Sequence, residues 1–222
     1  MKRNILFIRG FNTYMPTQDS FDGYSNIFDK YDLEYFNYSP DEDILEVYAQ
    51  LSNRISKGKY THLIGHSMGG GLLMRYIHDK KIDESVKIIL LMPMIYKIPL
   101  NKVIANIHCS TYLKFPKALL IPNSKLYNHG NILNDSYNLL SVSQVVSMYN
   151  NIMLEPIEFA STINNSNCVL FYATREAFNL IPEQSLNLIK PKNLVMINGL
   201  HECFNSLGGE SREFFKKLDL YL

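Results

Sequence analysis

The hexapeptide Gly65-His66-Ser67-Met68-Gly69-Gly70 constrains this chain more than any other stretch. An apolar run, Tyr60-Thr61-His62-Leu63-Ile64, leads into it, and a run of helical character, Leu72-Leu73-Met74-Arg75-Tyr76-Ile77-His78, leads out. The spacing is G-x-S-x-G, the pattern of a nucleophile elbow, in which a strand turns sharply into a helix and the serine sits at the strained tip. Glycine is required two residues before and after the serine because the two backbones come together there and leave no room for a Cβ. Such a turn exposes Ser67 Oγ and sets the Met68 N–H at a helix N-terminus, where developing negative charge is stabilised. Short Gly/Ser patterns also arise by chance, so the weight of the motif rests on the strand before it and the helix after it.

A chain of 222 residues suits one domain spanning 1–222 with a substantial core. Its 46% hydrophobic and 19% charged content is that of a globular protein. The net charge of +1 gives no general case for binding nucleic acid. Charge is unevenly spread. Nine acids and one base, Lys30, lie between Asp19 and Glu46, whereas Ser85 to Asn134 holds six lysines and no acid. The three cysteines, Cys109, Cys168 and Cys203, are widely spaced without a C-x-x-C, which argues against a disulfide framework and against a zinc site. Cys168 opens an apolar strand pattern and reads as a buried thiol. The N-terminus enters a strand with no signal-peptide pattern, and no run reaches the ~18 apolar residues of a membrane span, so a cytoplasmic protein is expected.

Asn4–Ile8 is an unbroken apolar run, as in a strand covered on both faces. A loop, Arg9-Gly10-Phe11-Asn12-Thr13, follows, then a short helix within Phe21–Tyr31 and a second strand over Leu33–Tyr38. Ser39-Pro40-Asp41-Glu42 offers an N-cap, a first-position proline and a capping glutamate. Ile44, Tyr48, Leu51 and Ile55 then mark one helical face, with Gly58 as the stop. Further strands read at Val86–Met92, Cys168–Ala173 and Asn193–Asn198, and a terminal helix over Glu210–Leu222. The alternation implies a mostly parallel sheet of about six strands with helices on both faces. Between Met92 and Cys168 it breaks for about 70 residues, too many for an ordinary crossover. Ser141–Ile152 and Glu155–Ile163 read as helices within that stretch, and the remainder as an insertion over one end of the sheet.

In this order of elements, and in its G-H-S-M-G-G elbow, the chain resembles the α/β-hydrolase superfamily, in particular its small serine esterases and acylglycerol-lipase-like members. The resemblance covers nearly the whole chain. It implies a lid at about 96–152, where the insertion falls, and a reaction that needs no metal or organic cofactor.

A serine nucleophile needs a base, a carboxylate to orient the base, and donors for the oxyanion. There are six histidines. His62 lies in the strand before the elbow, and His66 within the elbow is expected to point away from the serine's side. His78 ends the following helix, and His108 and His129 lie in the insertion. His201 alone follows directly on a strand end, where open α/β sheets bind ligands, and it also occupies the family's position for the base. The family's chain order puts the acid between nucleophile and histidine. Glu176, three residues beyond its strand, fits that place, where the family usually has aspartate; the family's proline four residues on is here Pro182, six on. Glu202 and Asn179 are the alternatives for this role. One oxyanion donor is the Met68 N–H. The resemblance implies that the second is the Phe11 N–H, in Arg9-Gly10-Phe11, where family members usually carry His-Gly and Arg9 replaces the histidine.

The expected activity is hydrolysis of a carboxylic ester of a small or lipid-like acyl substrate through an acyl-enzyme on Ser67. A thioesterase or an amidase/peptidase would use the same triad, and a non-catalytic binding protein would keep the same fold. The insertion is both apolar (Ile95, Ile98, Leu100, Val103, Leu119, Leu120) and basic, so as a lid it would contact lipid transiently or an anionic substrate. The other reading is that these residues only anchor the insertion to the sheet. The sequence leaves the oligomeric state open.

Overall fold

The computed structural model describes residues 3–10, 31–39, 42–94, 118–122, 137–175, 181, 183–201, 203 and 209–222. Six strands form one sheet: β1 (Arg3–Ile8), β2 (Tyr31–Phe36), β3 (His62–His66), β4 (Lys87–Leu91), β7 (Cys168–Ala173) and β8 (Leu194–Ile197). Their spatial order is β2-β1-β3-β4-β7-β8, and every neighbouring pair is parallel. The expectation of a mostly parallel six-stranded sheet is met, and the sheet is parallel throughout.

The unbroken apolar runs follow from burial on both faces. Leu6, Ile8, Leu63, Ile88, Leu90 and Leu170 point into one core, where they meet helices α1 (Ile44–Lys57), α2 (Ser67–Asp79), α3 (Val142–Asn151) and α4 (Pro156–Asn164). Their chain neighbours Ile5, Phe7, Ile64, Ile89, Leu91, Val169 and Phe171 point into a second core, filled by Phe214, Phe215 and Leu218 of α6 (Gly209–Leu218). The short α5 (Glu183–Leu186) lies between β7 and β8. Cys168 and Cys203 are buried, and burial pushes the Cys168 thiol pKa up.

Several boundaries differ from expectation; the terminal helix, expected over Glu210–Leu222, spans Gly209–Leu218. β2 begins at Tyr31, two residues early. α1 begins at Ile44 with Asp43 as its N-cap, the carboxylate accepting from Leu45 N–H at 2.8 Å and Glu46 N–H at 3.3 Å. The Ser39–Glu42 pair forms one turn upstream, where the Glu42 carboxylate accepts from Ser39 N–H and Glu42 N–H donates to the Ser39 carbonyl. Ile44, Val47 and Leu51 are the fully buried face of α1, with Tyr48 and Ile55 packed at its margin.

Between β4 and β7, β5 (Ala118–Pro122) and β6 (Tyr137–Ser141) pair antiparallel, outside the main sheet. α3 follows β6; its Met148 is buried in the first core, and Ile152, just beyond the helix, is buried beside it. The expected helix within 21–31 and the lysines at 97, 102, 114, 117 and 125 lie outside the described residues, apart from Tyr31. Among the described residues no helix is long and apolar enough to cross a membrane.

Candidate active site

Because the strands are parallel, β1, β3, β4, β7 and β8 all end on one edge of the sheet. Ser67 sits there as the first residue of α2, with φ of 51°. A non-glycine residue in this region costs roughly 1–3 kcal/mol and persists only where its surroundings hold it. Here the Ser67 carbonyl accepts from Met94 N–H at 2.7 Å, and the glycines bring backbone against backbone. A Cβ on Gly65 would lie 2.8 Å from Gly70 Cα, and one on Gly69 would lie 2.1 Å from the Arg9 carbonyl oxygen. Gly71, outside the five-residue pattern, is excluded from alanine for the same reason, by the Met94 carbonyl at 2.2 Å. Ser67 is partly exposed, while the Met68 side chain is fully buried. No side chain caps α2, so its first-turn N–H groups, Met68 among them, lack helical partners and face the strand-end edge.

His201 follows β8 and is buried. Its loop is fastened to the loop after β7: Thr174 N–H donates to the Ile197 carbonyl at 2.8 Å and Arg175 N–H to the Gly199 carbonyl at 3.0 Å. The chain that continues into Glu176 therefore starts beside the loop that carries His201. Glu176 itself, the alternatives Asn179 and Glu202, and Phe11 lie outside the described residues.

His66 departs from expectation. Its ring is buried against the His201 ring, with centroids 5.0 Å apart and planes at 48°, and it hydrogen-bonds the His201 backbone. A Cβ on Gly10 would come within 2.9 Å of both His66 Nδ1 and Ser67 Cβ. The loop after β1, the elbow and the loop after β8 thus meet around this ring. Strict strand alternation would separate His66 from Ser67, but the positive φ at Ser67 breaks the alternation at that step.

Burial, and then the neighbouring His201 charge, hold the His66 pKa well below its ordinary value, opposed by the bond to the His201 backbone. The folded protein therefore keeps His66 neutral, whereas an unfolded chain protonates it below about pH 6.5. Below that pH the unfolded state binds a proton that the folded state does not, so stability falls as pH falls. Thermal melts should show a larger loss of Tm between pH 7.5 and 5.5 for the wild type than for His66→Asn.

The other described histidines serve structure. His62 is buried at the start of β3, the far edge, where it bonds Thr61 Oγ1 at 2.9 Å and packs edge-on to Tyr31. His78 contacts Thr162 Oγ1 at 3.2 Å beside a cleft of about 650 Å³ at that same far edge. The Thr162 hydroxyl donates to the Glu158 carbonyl at 2.7 Å, so its proton is committed and it is not an activated nucleophile. Among the described residues no three His, Cys, Asp or Glu side chains are grouped to hold a metal.

No protein-family model and no curated protein sequence matches the chain. Solved structures match it in architecture. The monoacylglycerol lipase of Paleococcus ferrophilus aligns with a TM-score of 0.60 at 13% identity, over 98% of this chain and 93% of that one. A tomato methylketone synthase I variant complexed with β-ketoheptanoate aligns with a TM-score of 0.65 at 11% identity, over 98% and 96%. A bromoperoxidase from Bacillus anthracis aligns with a TM-score of 0.56 at 16% identity, over 100% and 92%. The chain has the α/β-hydrolase fold. That fold hosts a lipase, a synthase and a peroxidase among these three alone, so the chemistry has to be argued from the residues at the strand ends.

In its α/β-hydrolase fold the loop after β1 opens with Arg9, and the structure gives Arg9 a structural partner. The guanidinium donates to the Tyr38 carbonyl at 2.5 Å and lies 5.8 Å from the centre of the Tyr38 ring. Tyr38 OH in turn donates to the Arg9 carbonyl at 3.1 Å. Burial of Tyr38 pushes its pKa up, so the phenol keeps the proton that it donates. This reciprocal clamp ties the root of the loop to the end of β2, immediately before Gly10 reaches Ser67. Tyr38 carried no signal as a site residue in the sequence, and His66 none beyond its place within the motif.

Proposed function

We propose that the protein is a serine hydrolase that cleaves the carboxylic ester of a small or lipid-like acyl substrate through an acyl-enzyme on Ser67. The observation that carries this reading is Ser67, held at positive φ on a helix N-terminus, with the buried His201 ring packed on the residue before it. Backbone strain of this kind clusters at active sites, which supports a functional role for the serine.

In this reading Ser67 Oγ attacks the acyl carbonyl while His201 takes its proton. Glu176 orients the imidazole and stabilises its charged form. The N–H groups of Phe11 and Met68 stabilise the tetrahedral oxyanion, each worth on the order of 10²–10³ in rate. His201 then protonates the departing alcohol, and a water activated by His201 releases the acid and restores Ser67. The insertion at about 96–152, with its β5–β6 pair outside the sheet, serves as a cap over the acyl pocket and as the surface that meets lipid. A thioester or an amide would be split by the same steps with a different leaving group, and a panel of ester, thioester and aminoacyl-amide substrates separates the three.

The test is labelling by a fluorophosphonate serine probe. Folded wild type should label and Ser67→Ala should not; an unlabelled wild type would sink the mechanism. For Glu176→Gln, ester hydrolysis should fall by roughly 10³–10⁴-fold with the melting temperature kept, because the amide no longer stabilises the imidazolium. Unchanged turnover would assign the orienting role to Glu202 or Asn179.

A further inference from the structure

We propose that His66 is a positioning residue for His201: its buried ring and its bond to the His201 backbone fix the base relative to the serine one residue away. The inference rests on the serine-hydrolase reading above.

Along β3, His66 stands where a hydrophobe would suffice, since Leu63 and Ile64 before it are both buried apolar residues. Instead an imidazole occupies the place, 1% exposed, against a His201 that is 2% exposed. The bonds that fasten the loop carrying His201 include two between backbone groups, Arg175 N–H to the Gly199 carbonyl and Cys203 N–H to the Leu200 carbonyl. Those bonds place the chain but do not by themselves set the direction of the imidazole. The His66 ring supplies a wall for it at 5.0 Å and a hydrogen bond to the backbone that bears it.

Gly10 also lies close to His66 Nδ1 and to Ser67 Cβ. One side chain therefore ties the base loop to the elbow and to the loop after β1. Its charge state suits the task. A second imidazolium would oppose protonation of His201, and burial keeps His66 neutral.

The experiment compares wild type, His66→Leu, His66→Asn and His66→Gln. Leucine keeps apolar bulk without a donor, while the two amides place an N–H near one or the other ring-nitrogen position. Readouts are the second-order rate of fluorophosphonate labelling, kcat and KM for p-nitrophenyl butyrate, and Tm. His66→Leu should label ~10- to 100-fold more slowly, the loss falling on kcat with KM within about twofold, as for a misplaced catalytic group. One amide should restore labelling to within about threefold of wild type and the other should not. Wild-type labelling by His66→Leu, or losses in all three variants that follow only the folded fraction, would overturn the proposal. If His66→Leu does not fold, the amides decide: unequal rates at equal folded fraction support the role, and equal rates overturn it. A wild type that fails to label removes the parent reading and this inference together, whereas a labelling wild type with indifferent variants removes this inference alone.

Discussion

Ser67→Ala is expected to reduce ester hydrolysis by about 10⁴–10⁶-fold while leaving a protein that melts within a few degrees of wild type. The two halves of this expectation have separate causes. The catalytic loss follows because Ser67 is the hydroxyl held at positive φ on a helix N-terminus, with the buried His201 ring packed on the residue before it; the His78–Thr162 pair is at the far edge, its hydroxyl donating a hydrogen bond to the Glu158 carbonyl. Residual turnover would come from oxyanion donors and binding alone. Stability is preserved because alanine keeps the Cβ. The strain at φ of 51° and the close approach of Gly10 to Ser67 Cβ are the same in both proteins, and only a partly exposed hydroxyl is removed. Steady-state hydrolysis of p-nitrophenyl esters alongside thermal melts checks both halves. A variant that keeps more than about one part in a hundred of wild-type turnover would place the nucleophile elsewhere.

The sheet was legible in the sequence because each strand is buried on both sides. Ile5 and Phe7 fill one core while Leu6 and Ile8 fill the other, which leaves no polar position to interrupt the run. The elbow was legible because its glycines answer a purely local demand, the contact of β3 with α2. What escaped the sequence depends on distant partners or on choices between equivalent local patterns. Ser39-Pro40-Asp41-Glu42 and Asp43 both satisfy capping chemistry, and the helix starts at the second, where Ile44 goes fully into the core. Arg9 and Tyr38 are 29 residues apart, and their clamp follows from the parallel register of β1 on β2. His66 and His201 are further apart still. Their contact needs the left-handed step at Ser67, which alternation rules cannot foresee. The helical pattern of α3 was readable, whereas the placement of Met148 under Gly71 depends on how the insertion returns to the sheet.

Gly69→Ala is expected to be the most damaging single-methyl change in the chain's described part, and its cost is one of folding before it is one of catalysis. The added Cβ would lie 2.1 Å from the Arg9 carbonyl oxygen and 2.5 Å from that of Ile8. Both are backbone atoms at the end of β1, a strand paired on either side with β2 and β3, so neither can retreat without shifting the sheet. Overpacking costs about 1–3 kcal/mol and occasionally more; with only backbone to give way, the upper end, ~3 kcal/mol, is expected here, a large share of the roughly 5–15 kcal/mol that holds a domain folded. Gly58→Ala is the matched control. A Cβ there would come within 2.0 Å of the Tyr60 ring, but that ring is a movable side chain whose swing gives up hydrogen bonds of 3.0 and 3.1 Å to the Glu34 carboxylate at the surface. At φ of −82° the control position also accepts alanine without backbone strain. At about 2–4 °C per kcal/mol for a chain of this size, Gly58→Ala should melt within a few degrees of wild type, and Gly69→Ala should lose ~6–12 °C or fail to accumulate as soluble protein. Equal melting of the two variants would mean that β1 and α2 can part without cost, and with that the close approach that holds Ser67 in its strained conformation would lose its physical basis.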